Sequence, residues 1–281
     1  MYIDLYVSTY VYLYFLLFLS YLFIYINYIM SFSLTKGTPI AYIDGGKFSN
    51  KVVRVTQDKN GSKSFQLPSG KFEPLLDPQS REVIYIAGPS GAGKSTLTKL
   101  LSEVYNELFP NSPIFLFSKL KNDKAYDDLE KNGIITRVVI DERLIENPIE
   151  ILDDISPTEG ALFIFDDTDT INDKKILDQI TKLKRDIMEV GRHNNIYSIQ
   201  TSHLINGINK NECRNIMNEL HKLIIFPGSG GYKQQKYVLE NYWGLDKKQI
   251  KKILKTDSRW LCISKNYPQY VLTDDECYIL K

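Results

Sequence analysis

Hydrophobic and polar positions follow two different rhythms along the chain, and the change falls near residue 80. Over residues 39–76, short β-prone pieces alternate with clusters of turn residues, as the strands of a small sheet do. The β-prone pieces are 41–43, 52–55 and 64–67. After Pro78, apolar runs of strand length alternate with helical apolar stripes, which is typical of a mainly parallel sheet flanked by helices. The pattern therefore predicts an α/β fold preceded by a small β-rich segment.

The second part of the chain contains the predicted parallel sheet. Strands are predicted at 83–87, 114–117, 134–140, 161–165, 195–200, 223–226, 260–263 and 270–272. The run 161–165 is apolar throughout, as expected for a strand that is covered on both faces. Helical stripes lie between several of these strands. The prediction is one α/β domain over residues 81–281, with the β-rich segment over residues 31–80.

The first 30 residues form a hydrophobic leader that differs from the rest of the chain. Residues 5–26 contain no charged side chain and reach the roughly 20 residues that a helix needs to cross a bilayer. Two interpretations stay open. Either translation starts at Met30 and the leader is upstream nucleotide sequence that has been read as protein, or residues 5–26 anchor the protein in a membrane. A cleaved secretory signal fits less well because a basic n-region is missing.

Composition sets limits on domain count and partners. A chain of 281 residues that is 43% hydrophobic and 25% charged fits one medium globular domain with an appendage. The 35 basic and 34 acidic residues nearly cancel, so contact with nucleic acid requires a local basic patch. Cys213, Cys262 and Cys277 lack metal-ligand spacing and are expected to be reduced thiols.

A glycine-rich loop between strand 83–87 and the next helix is the strongest chemical signal. It comprises Gly88, Pro89, Ser90, Gly91, Ala92, Gly93, Lys94, Ser95 and Thr96. Backbone N–H groups, close approach at glycine and a helix N-terminus together hold a triphosphate. Lys94 is expected to reach the β- and γ-phosphates, Ser95 to bind Mg²⁺, and Thr96 to contact the α-phosphate. The sequence therefore predicts a site for ATP and Mg²⁺, whereas a chance glycine turn would not need the flanking strand and helix.

Two aspartates follow the apolar strand 161–165, at the sheet edge where ligands bind in open α/β folds. Asp166 is the candidate carboxylate for the metal site. Asp167 is the candidate for polarising an attacking water, a role for which many ATPases use glutamate. Capping of the next helix is the alternative role for turn aspartates, and it fits Asp169 and Asp173 better than the first two.

Polar residues also end the strand 195–200. Gln200 is predicted to sense the γ-phosphate or to position water, and His203 is the alternative for this role. An arginine from a neighbouring subunit often stabilises a transferred or cleaved γ-phosphate. Arg192 is the first candidate for that arginine and Arg137 the second, with surface ion pairing as the alternative for both.

Three features together resemble the viral genome-packaging ATPases of the FtsK/HerA group, of the poxvirus type found in large DNA viruses. They are the loop 88–95, the strand that ends in Asp166 and Asp167, and the run 191–196 that leads to Gln200. The resemblance covers roughly residues 81–227. It implies a homo-oligomeric, ring-forming, Mg²⁺-dependent ATPase that drives double-stranded DNA into a capsid, in the host cytoplasm or at a virion-assembly site.

Departures from this family and competing classes remain. Asp167 is shorter than the usual glutamate, and the leader is not part of the family pattern. A nucleotide or small-molecule kinase is the main rival, but its arginine-rich lid is not evident among eight scattered arginines. A membrane-anchored nucleotide-binding scaffold without turnover requires a real anchor at 5–26 and a catalytically idle Asp167.

Overall fold

The computed structural model describes residues 30–58, 61–146, 155–156, 158–205 and 210–280. The leader before Met30 lies outside the described residues. The structure therefore does not test the interpretation of residues 5–26 as a membrane anchor, nor the interpretation of the leader as an upstream stretch that is not part of the protein. Among the residues that the structure describes, no helix is long and apolar enough to cross a membrane.

The N-terminal part of the chain forms a four-stranded antiparallel sheet. Its strands are β1 (Met30–Ser33), β2 (Thr38–Asp44), β3 (Val52–Gln57) and β5 (Lys71–Pro74), in the order β1-β3-β2-β5. Buried and partly exposed positions alternate along β3, where Val53 and Val55 face the core. This period of two residues is why the segment forms half-buried strands. The predicted β-rich segment is confirmed.

The second sheet has ten strands and is mainly parallel at its centre. Its strands are β4 (Ser64–Gln66), β6 (Val83–Ala87), β7 (Ile114–Ser118), β8 (Thr136–Val139), β9 (Ala161–Asp166), β10 (Ile196–Ser202), β11 (Lys222–Ile225), β12 (Leu261–Ser264), β13 (Tyr270–Leu272) and β14 (Glu276–Ile279). The order is β4-β14-β13-β12-β11-β6-β10-β9-β7-β8. Strands β11 to β8 in this order are parallel, and the remaining pairs are antiparallel. The predicted α/β class is confirmed.

One strand of the N-terminal part belongs to the large sheet. The sequence pattern placed 64–67 in the small β-rich segment, but β4 pairs with β14, with Phe65 opposite Cys277. The chain therefore returns from its C-terminal end to bind a strand near its start. Pairing between strands so distant in sequence leaves no local signal, and β1, β5 and β14 themselves were not predicted.

Helices cover both faces of the large sheet. They are α1 (Lys94–Leu108), α2 (Asp127–Lys131), α3 (Arg143–Glu146), α4 (Lys174–Val190), α5 (Lys210–Glu219), α6 (Tyr232–Trp243) and α7 (Lys247–Leu254). Helix α1 and the small sheet share one apolar core, and α4 packs with Phe163 and Phe165 in another. Asp173 caps α4, since its carboxylate accepts the backbone N–H groups of Lys175 and Ile176.

The parallel centre of the sheet fixes the position of the candidate site. Strands β6, β10 and β9 are neighbours, so their carboxyl ends meet at one edge. The glycine loop follows β6, and the two aspartates stand at the end of β9. Ligands bind at this edge in open α/β sheets.

A half-buried histidine at the opposite edge of the sheet makes stability depend on pH. His221 Nδ1 accepts the backbone N–H of Val83 at 2.9 Å. Burial, followed by the positive charges of Arg81, Lys222 and Lys265, lowers the pKa of His221 to about 4, from an ordinary value of 6.5. Only the neutral ring accepts this bond, so the stabilisation is complete above pH 6.5. It is lost as pH falls towards 4.

We therefore expect the contribution of His221 to lower the free energy of unfolding by about 2 kcal/mol when the pH falls from 7 to 5. The measurement is urea unfolding at both pH values for the wild type and for His221→Asn. Asparagine keeps an acceptor for the backbone N–H but does not titrate, so the variant should lose less stability on acidification by that amount. An identical pH dependence in both proteins would contradict the assignment.

Candidate active site

The glycine loop is shaped by close contacts that exclude side chains. Gly88 lies against Phe226, and a Cβ at this position would approach the Phe226 ring to 2.5 Å. Gly93 has a φ of 118°, a conformation that side chains disfavour. The backbone N–H of Gly88 donates to the carbonyl of Ser202 at 3.0 Å, which fixes the loop to the end of β10. The loop therefore leads into the N-terminus of α1 at the carboxyl edge of the sheet.

Lys94 lies back across this loop. Its side chain is buried, and its Nζ donates to the carbonyl of Gly88 at 3.0 Å. The same Nζ lies 3.3 Å from Asp167 Oδ1. The predicted phosphate-binding lysine and the predicted water-polarising acid are thus in direct contact.

Asp166 is held by two hydroxyl groups. Tyr126 donates to Asp166 Oδ1 at 3.2 Å, and the Thr201 hydroxyl lies 3.1 Å from the same oxygen. Burial, followed by the charge of Asp167, raises the pKa of Asp166. Tyr126 is fully buried, and Ser95 and Thr98 at the start of α1 lie near its hydroxyl group. The tyrosine therefore connects the start of α1 to the carboxylate at the end of β9.

Asp167 adopts a backbone conformation that is rare for a residue with a side chain. Its φ is 45°, and its N–H donates to the Thr201 hydroxyl at 2.8 Å. Such strain persists where surrounding contacts hold the residue, and it clusters at functional sites. Asp167 Oδ1 also lies 3.0 Å from the Thr201 hydroxyl, while Oδ2 lies 3.4 Å from His203 Nε2. The carboxylate is thereby placed between Lys94 and His203.

Asp169 orients His203. Asp169 Oδ2 accepts the Ser202 hydroxyl at 2.7 Å and the backbone N–H of His203 at 2.8 Å. Its Oδ1 lies 3.4 Å from His203 Nδ1. The ligand atoms of Asp167, Asp169 and His203 all lie within 4.8 Å of one another. The three side chains form a row in which the imidazole stands between two carboxylates.

Gln200 does not join this group. Neighbouring residues of a strand point to opposite faces, and Thr201 points to the aspartates, so Gln200 points to the other face. There it stands beside Phe165, which packs against α4. Gln200 is buried, and neither side-chain amide atom has a hydrogen-bond partner among the described residues. The placement does not support the predicted sensor role for Gln200, and Thr201 occupies the position that faces the site.

Neither predicted arginine meets the site within the same chain. Arg192 follows α4, which runs back from the site, and the adjoining Gly191 lies against Arg81 at the amino edge of the sheet. Arg137 is a structural ion-pair residue. Its guanidinium binds Glu130 at 2.8 Å and Asp127 at 3.3 Å, and its side chain is 2% exposed. A role of Arg192 towards a neighbouring subunit stays a prediction.

Sequence reasoning missed two residues that the fold brings to the loop. Arg259, just before β12, donates from Nε to the carbonyl of Ala92 at 3.0 Å and from Nη2 to the carbonyl of Gly91 at 3.3 Å. Tyr126, just before α2, donates to Asp166 Oδ1. Neither residue has a local motif, because its contact depends on distant elements meeting at the sheet edge.

A buried lysine in a glycine loop between strand and helix, with an aspartate at the end of a parallel strand that is separated from the first by one other strand, defines a P-loop NTPase fold. The fold is shared with the genome-packaging NTPase B204 of Sulfolobus turreted icosahedral virus 2, solved in complex with AMP. The two chains are 14% identical with a TM-score of 0.50, over 71% of this chain and 98% of B204. The conjugation coupling protein TcpA of pCW3 aligns at 13% identity with a TM-score of 0.49, over 85% of this chain and 77% of TcpA.

The chain belongs to the same protein family as the uncharacterized protein V3 of Sputnik virophage. The two are 43% identical over 238 residues, which are 84% of this chain and 93% of the relative. No protein-family model matches the chain.

Proposed function

We propose that this protein is a Mg²⁺-dependent ATPase that moves double-stranded DNA during viral genome packaging. The observation that carries the proposal is the meeting of Lys94, Asp166 and Asp167 at the carboxyl edge of the sheet, directly beside the glycine loop. The fold shared with the packaging NTPase B204 supports the DNA-moving part. A homo-oligomeric ring is part of the same proposal.

Binding of the triphosphate rests on the loop and on Lys94. The loop's backbone N–H groups and the N-terminus of α1 attract the negative charge of the phosphates. Lys94 Nζ donates to a carbonyl oxygen and contacts a carboxylate oxygen. Oxygens of the β- and γ-phosphates would be stronger partners for the same ammonium group. The lysine is therefore already directed at the phosphate position.

Ser95 and Asp166 fit the requirements of Mg²⁺. The hydroxyl of Tyr126 donates to Asp166 and lies near Ser95, so a hydroxyl oxygen and a carboxylate oxygen are in the same small region. Oxygen ligands from one carboxylate and a hydroxyl, together with phosphates, are what Mg²⁺ takes in nucleotide sites. When bound, Mg²⁺ neutralises charge that develops on the phosphates.

Asp167 is the proposed acceptor of a proton from the attacking water. Lys94 contacts one of its carboxylate oxygens, which also lies 3.0 Å from the Thr201 hydroxyl, while the other oxygen faces His203. His203 is in turn fixed by Asp169, which orients the imidazole beside Asp167. Arg192 is exposed and remains the proposed arginine that a neighbouring subunit receives. Gln200 is no longer part of the proposed machinery.

The experiment is phosphate release from ATP by the chain from Met30 onward, measured with and without duplex DNA. We expect hydrolysis that requires Mg²⁺ and that duplex DNA stimulates. A higher salt concentration should weaken the stimulation, because contact with phosphate backbones is electrostatic. Transfer of phosphate to a nucleoside acceptor without DNA would contradict the motor and favour a kinase.

A further inference from the structure

A cavity of about 290 Å³ opens beside the first turn of α1, between this helix and strand β5. Its size is near the lower end of the range for small-molecule sites. The lining comes from the small sheet, from the glycine loop and α1, and from segments that adjoin strands of the large sheet, including the segment before β12. Most of the apolar lining is provided by Phe72, Pro74, Leu97, Leu100, Phe226 and Trp260. Charged and polar side chains, among them Glu73 and Arg259, stand around these residues.

The cavity is continuous with the glycine loop. Ala92, Gly93 and Thr96 line it, and all three belong to the loop or its first helical turn. Thr96 is the residue that such loops direct at the α-phosphate. The nucleoside is attached to that phosphate, so its path from the loop leads towards this cavity.

Two residues fix the cavity against the loop. The Phe226 ring packs against Gly88 and lies 3.5 Å from the Cβ position of Gly93, so it forms a floor beneath the loop. The guanidinium of Arg259 binds the carbonyls of Ala92 and Gly91, which ties the adjoining Trp260 to the same place. Trp260 is partly exposed and packs at the edge of the apolar core. The aromatic side chain of Trp260 is therefore held close to the glycine loop.

We propose that this cavity binds the base of the nucleotide, with Trp260 as the aromatic wall against which the base lies. The proposal rests on the proposed function, since it places the nucleoside of the same ATP. It also gives the small sheet a role, because Phe72 and Pro74 of β5 form part of the cavity. The small sheet is then part of the nucleotide site rather than a separate module.

The test compares ATP with inorganic tripolyphosphate, which has the phosphates but no base. Binding of each is measured by calorimetry for the wild type, for Trp260→Ala and for Tyr237→Ala, an exposed aromatic residue on α6. We expect Trp260→Ala to weaken ATP binding about tenfold, as loss of a base–aromatic contact does. Tripolyphosphate binding should not change, and Tyr237→Ala should behave as the wild type.

The outcomes separate this proposal from the one on which it rests. Equal weakening of ATP and tripolyphosphate by Trp260→Ala, or unchanged binding of both, would overturn the base site. Failure of the wild type to bind either ligand would overturn the ATPase proposal itself, and the base site with it.

Tryptophan emission provides a second measurement that does not remove a large side chain. The chain has two tryptophans, and Trp243 is buried in a different apolar core. ATP should change the emission of the wild type but not that of Trp260→Phe, and tripolyphosphate should change neither. An ATP response that persists in Trp260→Phe would contradict the assignment.

Discussion

Replacing Lys94 with alanine will lower ATP hydrolysis by about 10²-fold or more without unfolding the protein. The ammonium group is the buried cation of the loop, and its contacts with Gly88 and Asp167 direct it at the phosphate position. Loss of one fixed positive donor to a developing charge lowers kcat by about 10²–10³-fold in enzymes. We expect a loss of at least this size in steady-state phosphate release.

Lys99→Ala is the matched control for this substitution. Lys99 lies on the same helix and forms an ion pair with Asp128 at 3.7 Å, outside the loop. Because such pairs at the surface contribute little, its activity and thermal unfolding should match those of the wild type. Asp167 is partly exposed, so solvent can replace the lysine beside it and Lys94→Ala should also remain folded. Retention of more than about a tenth of the activity would remove Lys94 from the proposed site.

The central part of the fold was predictable because its signals are local. The apolar run that ends at Ala87, the glycines after it and the stripe of Leu97 and Leu101 each report on their own short segment. The order of strand, loop and helix follows from these signals without knowledge of distant contacts. The α/β class was therefore confirmed.

The elements that the sequence did not predict depend on partners far away in the chain. Strand β14 is short and has only a brief apolar run, so its position in the sheet follows from its pairing with β13 and β4. Arg259 has no motif, and only the antiparallel strand that follows it brings its guanidinium to the loop. No local pattern reports such contacts.

The placement of Gln200 shows how a step of one residue along a strand changes which side chain faces the candidate site. Both Gln200 and Thr201 lie near the end of β10, and the chemistry of an amide favoured the former. A strand turns alternate residues to opposite faces, so a shift of one residue reverses the direction. The sequence of β10 is buried on both faces and gives no polar alternation that would have fixed its phase. The contacts of Thr201 with Asp166 and Asp167 show which of the two side chains faces the candidate site.

Replacing Asp167 with asparagine should lower kcat by about 10²–10⁴-fold, the usual contribution of a general base. Asparagine has nearly the same shape but cannot accept a proton from water. Nucleotide binding should persist, because the loop and Lys94 provide the phosphate contacts. The measurement is single-turnover hydrolysis beside equilibrium binding of ATP. Asp173→Asn is the control, since asparagine caps a helix as well as aspartate does and this residue caps α4.

Two further variants separate Asp167 from its neighbour His203. Asp167→Glu restores the longer acid that many ATPases use, so it should retain measurable hydrolysis where Asp167→Asn does not. His203→Asn should cause a smaller loss, because His203 contacts the carboxylate through Nε2 and does not replace it. Full hydrolysis by Asp167→Asn together with a large loss in His203→Asn would transfer the proton-accepting role to the histidine. Asp169, which orients that ring, would then be the second carboxylate on which turnover depends.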